Sequence, residues 1–208
     1  MVPEPPRGGG RGTNLSATPG VRETIHDHFR RSADAKLRTA DACAADIEKA
    51  AALIAHAFKA GGKLLICGNG GSAADAQHLA AEFVSRLTLD FERPGLPAIA
   101  LTTDTSVLTA YANDFDFEGV FARQVQALGR RGDVLLAIST SGSSRNVIRA
   151  AKDARTRGMR VIALIGDSGP LADEADVSIR VPVTATAQIQ ECHLAVEHVI
   201  CHLVERLL

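Results

Sequence analysis

Two short segments carry side chains suited to holding a phosphorylated ligand. Ser139, Thr140, Ser141, Ser143 and Ser144 surround Gly142, so five hydroxyls fall within six residues. Gly68-Asn69-Gly70-Gly71-Ser72 forms a second segment, in which three glycines let the backbone approach a ligand. Each segment follows an apolar run and precedes a helical pattern. Each therefore offers the unpaired N–H groups of a helix N-terminus to an anion. The pattern is neither a P-loop, which needs G-x-x-x-x-G-K-[ST], nor the G-x-G-x-x-G of dinucleotide sites. The alternative for either loop alone is an ordinary capped turn, with Ser72 placed as a helix cap.

Acid–base and metal-binding side chains fall on two helical patterns. Asp75, His78 and Glu82 share one face of a predicted helix over 72–87. They suit a metal or a substrate, and equally a solvated polar face. The C-terminal pattern carries Gln190, Glu191, His193, Glu197, His198 and His202. Spacing alone favours His198 and His202, at i and i+4, as a metal pair. Gln190 and His198 lie roughly 80° apart around a helix of ~3.6 residues per turn, and glutamine is a poor zinc ligand. Spacing does not decide between these sets.

The elements that must position these residues follow from hydrophobic period. Over residues 21–60, Ile25, Phe29, Leu37, Ile47, Leu53, Ile54 and Phe58 recur at helical spacing, and Gly61-Gly62 ends the pattern. These N-terminal helices are expected to pack on the core or on another subunit. Short apolar runs then predict strands within 63–71, 96–101, 132–142, 159–167 and 176–182. Helical patterns over 72–87, 104–114, 117–128, 144–158 and 187–208 alternate with them. The expected fold is α/β, a doubly wound parallel five-stranded sheet flanked by helices. Residues 21–208 read as a single domain. Residues 1–20, rich in Pro, Gly and Arg, read as a disordered or appended tail.

Composition narrows the partners. The 208 residues carry a formal net charge of −1, which gives no broad attraction to nucleic acid or an anionic membrane. No apolar run reaches the ~18 residues of a membrane span, and the first residues carry no leader-like apolar stretch. Cys43, Cys67, Cys192 and Cys201 show no C-x-x-C pairing. Free thiols in a reducing cytoplasm are expected.

The stretches GNGGSAADAQHLAAEF, LTTDTSVLTAYANDFDFEGVFARQVQALGRRGDVLLAISTSG and IQECHLAVEH, in this order and spacing, resemble the sugar-isomerase (SIS) domain family, and within it the phosphoheptose isomerases. The resemblance spans about residues 30–207. It implies a homotetramer with active sites between subunits. The implied reaction is an aldose–ketose isomerisation of sedoheptulose 7-phosphate to D-glycero-D-manno-heptose 7-phosphate, feeding activated heptose into surface glycans. It places the phosphate on Ser139, Thr140, Ser141 and Ser144, and the sugar against Asn69, Gly70, Gly71, Ser72, Asn113 and Asp114. It implies one zinc per subunit on His78, Glu82, Gln190 and His198, with Gln190 also facing substrate. Glu82 and His198 are the implied base and acid.

Departures from the family pattern are Ser143 for Asn, Gln188 for Arg, and Pro170 for Gly; none removes an implied ligand. Two other readings stay open at this stage. One is a non-catalytic SIS protein of the type that binds the replication initiator DnaA, which lacks a histidine at the position of His198. The other is an isomerase for a different phosphosugar.

Overall fold

The computed structural model describes residues 20–88 and 92–208. The expected tail over 1–20 lies, but for Gly20, outside the described residues. The N-terminal pattern forms one helix, α1 (Val21–Lys59), where the sequence suggested several. It stops because Ala60 is followed by Gly61 in the left-handed region (φ 76°). The Gly62 N–H reaches the Ala57 carbonyl and the Gly61 N–H that of Phe58, the double closure that ends a helix on glycine.

The sheet then begins. β1 (Leu64–Cys67) leads to α2 (Gly71–Val84), β2 (Ala98–Ala100) to α3 (Thr105–Asp114) and α4 (Val120–Leu128), and β3 (Val134–Ser139) to α5 (Arg145–Thr156). β4 (Arg160–Ile165), β5 (Val177–Arg180) and α6 (Thr186–Leu207) complete the chain. All four strand pairings are parallel, in the order β2-β1-β3-β4-β5.

Alternate strand residues face opposite sides. Leu64, Ile66, Leu136, Ile138, Ile162 and Leu164 pack with α1, α2 and α6. Leu65, Cys67, Leu135, Ala137, Val161 and Ala163 pack with α4 and α5. Strands buried on both faces read as continuous apolar runs, which is why they are legible.

The predicted helix over 117–128 is opened by a 3-10 turn, Phe117–Gly119. The Pro170 departure is absorbed because it starts a second 3-10 turn, Pro170–Glu174, where no helical N–H is needed. All four cysteines are buried and free. Among the described residues, no helix is long and apolar enough to cross a membrane.

Candidate active site

From β1 the chain runs outward to β2, then returns to lay β3 on the other side of β1. The crevice beyond the carboxyl ends of β1 and β3 is therefore the switch point of the sheet, where open α/β folds bind ligands. Both loops singled out in the sequence leave the sheet there.

The loop after β3 gathers its hydroxyls. Ser139 Oγ lies 3.0 Å from Ser144 Oγ and 3.4 Å from Ser141 Oγ. Ser141 Oγ accepts from the Ser143 N–H at 3.2 Å and from the Ser143 hydroxyl at 3.0 Å. The Ser143 departure thus adds a hydroxyl to the cluster. Ser139 is buried, Thr140 and Ser144 are half-buried, and Ser141 is exposed. A neutral cluster of hydroxyl donors at the start of α5 suits a phosphate.

The loop after β1 departs from one expectation. Ser72 is not the cap of α2: the cap position is Gly70, at φ 56°, and no side chain caps the helix. The tight left-handed turn at Gly70 starts the helix one residue early and leaves Ser72 buried inside the first turn. Gly71 has a specific reason to lack a side chain: a Cβ there would lie 2.4 Å from Gln190 Nε2. The bare backbone makes room for that amide.

Across the α2–α6 interface, His78 Nε2 and His198 Nε2 stand 2.8 Å apart. Glu82 Oε1 is 3.6 Å from His78 Nε2. One turn earlier on α2, Asp75 Oδ1 accepts from Gln190 Nε2 at 3.3 Å. The structure therefore pairs His198 with His78 across 120 residues, not with His202, which is exposed one turn farther along α6. Spacing within α6 pointed to His202, whereas the imidazole that meets His198 comes from α2.

Two imidazole nitrogens that close must share a proton or a cation between their lone pairs. Glu82 supplies a carboxylate beside His78, and the Gln190 amide stands one turn earlier, against Asp75 and Gly71. Two imidazoles and a carboxylate are donors that fit a zinc ion, and an amide oxygen is the weakest member of the set. Among the described residues, no three His, Cys, Asp or Glu side chains are already gathered into a metal cage.

Asp75, His193 and Glu197, acid–base candidates by residue type, are buried polar groups of α2 and α6. Asp75 Oδ2, both Glu197 carboxyl oxygens and both His193 ring nitrogens are buried without a hydrogen-bond partner. Burial, with Asp75 nearby, holds the Glu197 carboxyl well above the usual carboxylate range. Burial raises Asp75 too, opposed by the Gln190 hydrogen bond and by His78. His193 is pushed down to about 4 by burial. The Ile165 carbonyl slightly favours its protonated ring, although neither nitrogen makes a bond of acceptable geometry.

Asn146, in the first turn of α5, escaped the sequence reading. It is paired with Asn69 through two amide hydrogen bonds. A signal existed: asparagine is a poor interior helix former that competes for backbone groups, so its place just after the hydroxyl loop is informative.

Asn113 and Asp114 stand elsewhere. They are exposed at the end of α3 and bonded to each other at 2.9 Å. Their hydrogen bonds do not connect them to either loop.

The SIS domain family model matches residues 28–166. The phosphoheptose isomerase of Thiobacillus denitrificans is 55% identical over 192 residues, 90% of this chain and 96% of that protein. The structure of the phosphoheptose isomerase from Neisseria gonorrhoeae superposes with a TM-score of 0.83 at 46% identity, covering 89% of this chain and 98% of the other. That from Francisella tularensis gives 0.85 at 40% identity, with the same coverage.

Proposed function

The chain belongs to the phosphoheptose isomerases of the SIS domain family, and on that premise we propose how its own residues interconvert sedoheptulose 7-phosphate and D-glycero-D-manno-heptose 7-phosphate. It is an isomerase acting on a phosphosugar. The observation that carries the mechanism is the meeting of His78 with His198 and with Glu82 across two helices.

The serine cluster holds the phosphate through Ser139, Thr140, Ser141 and Ser144. Asn69, Gly70, Gly71 and Ser72 line the sugar. Glu82 takes a proton from C1 of the ketose while His198 protonates the carbonyl oxygen on C2, giving an enediol. Glu82 then delivers the proton to C2, and His198 accepts the one on the C1 oxygen, leaving the aldehyde. A carboxylate moving a carbon-bound proton and an imidazole serving the oxygens are a workable division of labour near neutral pH. His78, Glu82, Gln190 and His198 would hold one zinc per subunit. That ion would polarise the carbonyl and stabilise the enediolate.

What the single chain leaves uncovered supports an assembly of several copies. On α1, Phe29 is 71% and Leu37 69% exposed. An apolar groove between α1 and α6 is lined by Ala44, Ile47, Val196, Val199 and Leu203. These faces support a homotetramer in which neighbouring chains complete one another's sites, with Asn113 and Asp114 reaching a neighbour's sugar. The compartment is the cytoplasm, and the product serves activated-heptose and surface-glycan synthesis.

Incubation with sedoheptulose 7-phosphate, followed by NMR for the aldose, tests this reading, with metal analysis and light scattering on the same sample. Aldose formation by a zinc-bearing tetramer is expected. A zinc-replete protein that converts no phosphosugar would place the chain among non-catalytic SIS proteins.

A further inference from the structure

Asn69 and Asn146 form a closed ring of two hydrogen bonds. Asn69 Nδ2 donates to Asn146 Oδ1 at 2.8 Å, and Asn146 Nδ2 donates to Asn69 Oδ1 at 2.8 Å. The orientation of the ring is set by the backbone. The Val147 N–H donates to Asn146 Oδ1 at 3.0 Å, so that atom must be the oxygen. The other end of the Asn146 amide is then its nitrogen, and the atom it meets on Asn69 must be an oxygen. One backbone N–H thus fixes both amides. Asn146 is buried, and Asn69 is half-buried in the glycine loop.

The ring joins the two loops of the site. Asn69 follows β1, and Asn146 lies two residues beyond Ser144 at the start of α5. Each carboxamide has two N–H donors and an oxygen with two lone pairs. The ring uses one N–H and one lone pair of Asn69. The remaining N–H and lone pair stay free for a ligand, with their identities fixed. A free asparagine can rotate its amide and must be ordered on binding; a clamped one need not.

We propose that Asn146 is a positioning residue: it holds the Asn69 carboxamide in one orientation toward the sugar, and so ties sugar recognition after β1 to the phosphate-holding turn after β3. The proposal rests on the reading of these loops as the phosphosugar site.

A double-mutant cycle tests it. Asn69→Ala, Asn146→Ala and the double variant are compared in kcat/KM for sedoheptulose 7-phosphate. Inhibition by inorganic phosphate probes the serine turn alone, and thermal unfolding checks the fold. Each single variant is expected to lose about 10–100-fold in kcat/KM, the scale of one or two oriented hydrogen bonds. If Asn146 acts through Asn69, the double variant falls no more than about threefold below the poorer single. The phosphate inhibition constant of Asn146→Ala also stays within about threefold of wild type.

Losses that multiply in the double variant, or phosphate binding that weakens in step with kcat/KM, would overturn the proposal. Should Asn146→Ala not fold, Asn146→Asp keeps the shape and both accepting contacts but cannot donate to Asn69 Oδ1. It should show the same loss, and unimpaired kcat/KM in this variant would also overturn the proposal. A wild type that binds the sugar phosphate without converting it would sink the isomerase reading alone; the cycle is then measured by calorimetric Kd. A wild type that does neither removes both.

Discussion

The two ends of the sheet treat their polar groups in opposite ways. At the amino ends of the strands, buried Asp133 is saturated. Its Oδ1 accepts from the Lys63 N–H at 2.9 Å, and its Oδ2 from Lys63 Nζ at 2.6 Å and the Arg130 N–H at 2.8 Å. Asp176 likewise takes the Val161 N–H and the Arg160 guanidinium. At the carboxyl ends the serine hydroxyls meet chiefly one another, and between α2 and α6 two imidazoles face each other while Asp75, His193 and Glu197 keep buried atoms without partners. One end uses its polar groups to hold strands in register. The other keeps donors and acceptors in reserve, at a cost in stability that a ligand can offset.

Substitutions at the two ends should therefore separate activity from stability. The largest effect is expected between α2 and α6. Glu82→Gln and His198→Asn should each lower kcat by at least ~10²–10⁴-fold, the usual contribution of a general acid or base, with unfolding and light scattering unchanged. The double variant should be little worse than the poorer single, because the two act as a unit. Near wild-type rates in folded variants would remove both from the mechanism.

At the amino end the pattern should reverse. Asp133→Ala strands Lys63 and two backbone N–H groups, and should cost about 3 kcal/mol in denaturant unfolding. Its kcat below the unfolding range should stay close to wild type. A collapse of kcat in a folded Asp133 variant would blur the contrast.

Within the reserved end, Ser141→Ala and Ser144→Ala should each raise KM more than they lower kcat, by the ~1.5–3 kcal/mol of a hydrogen bond to a charged group. Unchanged KM in both would move the phosphate to Ser72.

The smallest effect concerns buried His193. Its folded value of about 4 lies below the ordinary value of 6.5, so the unfolded chain binds more protons between them. The neutral buried ring is fully compatible with folding above about pH 6.5, and stability is lost as pH falls toward 4. Between pH 7 and 5, wild type should lose about 2 kcal/mol more than His193→Met. Parallel slopes in urea unfolding would show that His193 is solvated.

The sequence carried most of the fold. Strands buried on both faces, such as 134–138 and 161–165, must be continuous apolar runs, and each ends where glycine or hydroxyl residues begin. The position of both loops at strand ends was equally legible. The pairing of His78 with His198 was implied by the family resemblance and not by spacing, because spacing within one helix says nothing about which face meets another helix 120 residues away. Ser72 looked like a cap by type alone; the positive φ of Gly70 took that position. Asn146 hid for a related reason, since its partner lies 77 residues off. The long α1 was read as several helices because Ala-rich stretches weaken the apolar period without breaking the helix.

The proposed isomerisation depends on a proton moved by Glu82 between two carbons of the sugar. Isomerisation of sedoheptulose 7-phosphate in D2O, with the heptose product read by NMR, tests it most directly. Deuterium at C2 of the product is expected from the wild type, and neither product nor exchange above the ~10²-fold reduced level from Glu82→Gln. A product free of deuterium, formed as fast by Glu82→Gln as by the wild type, would contradict it.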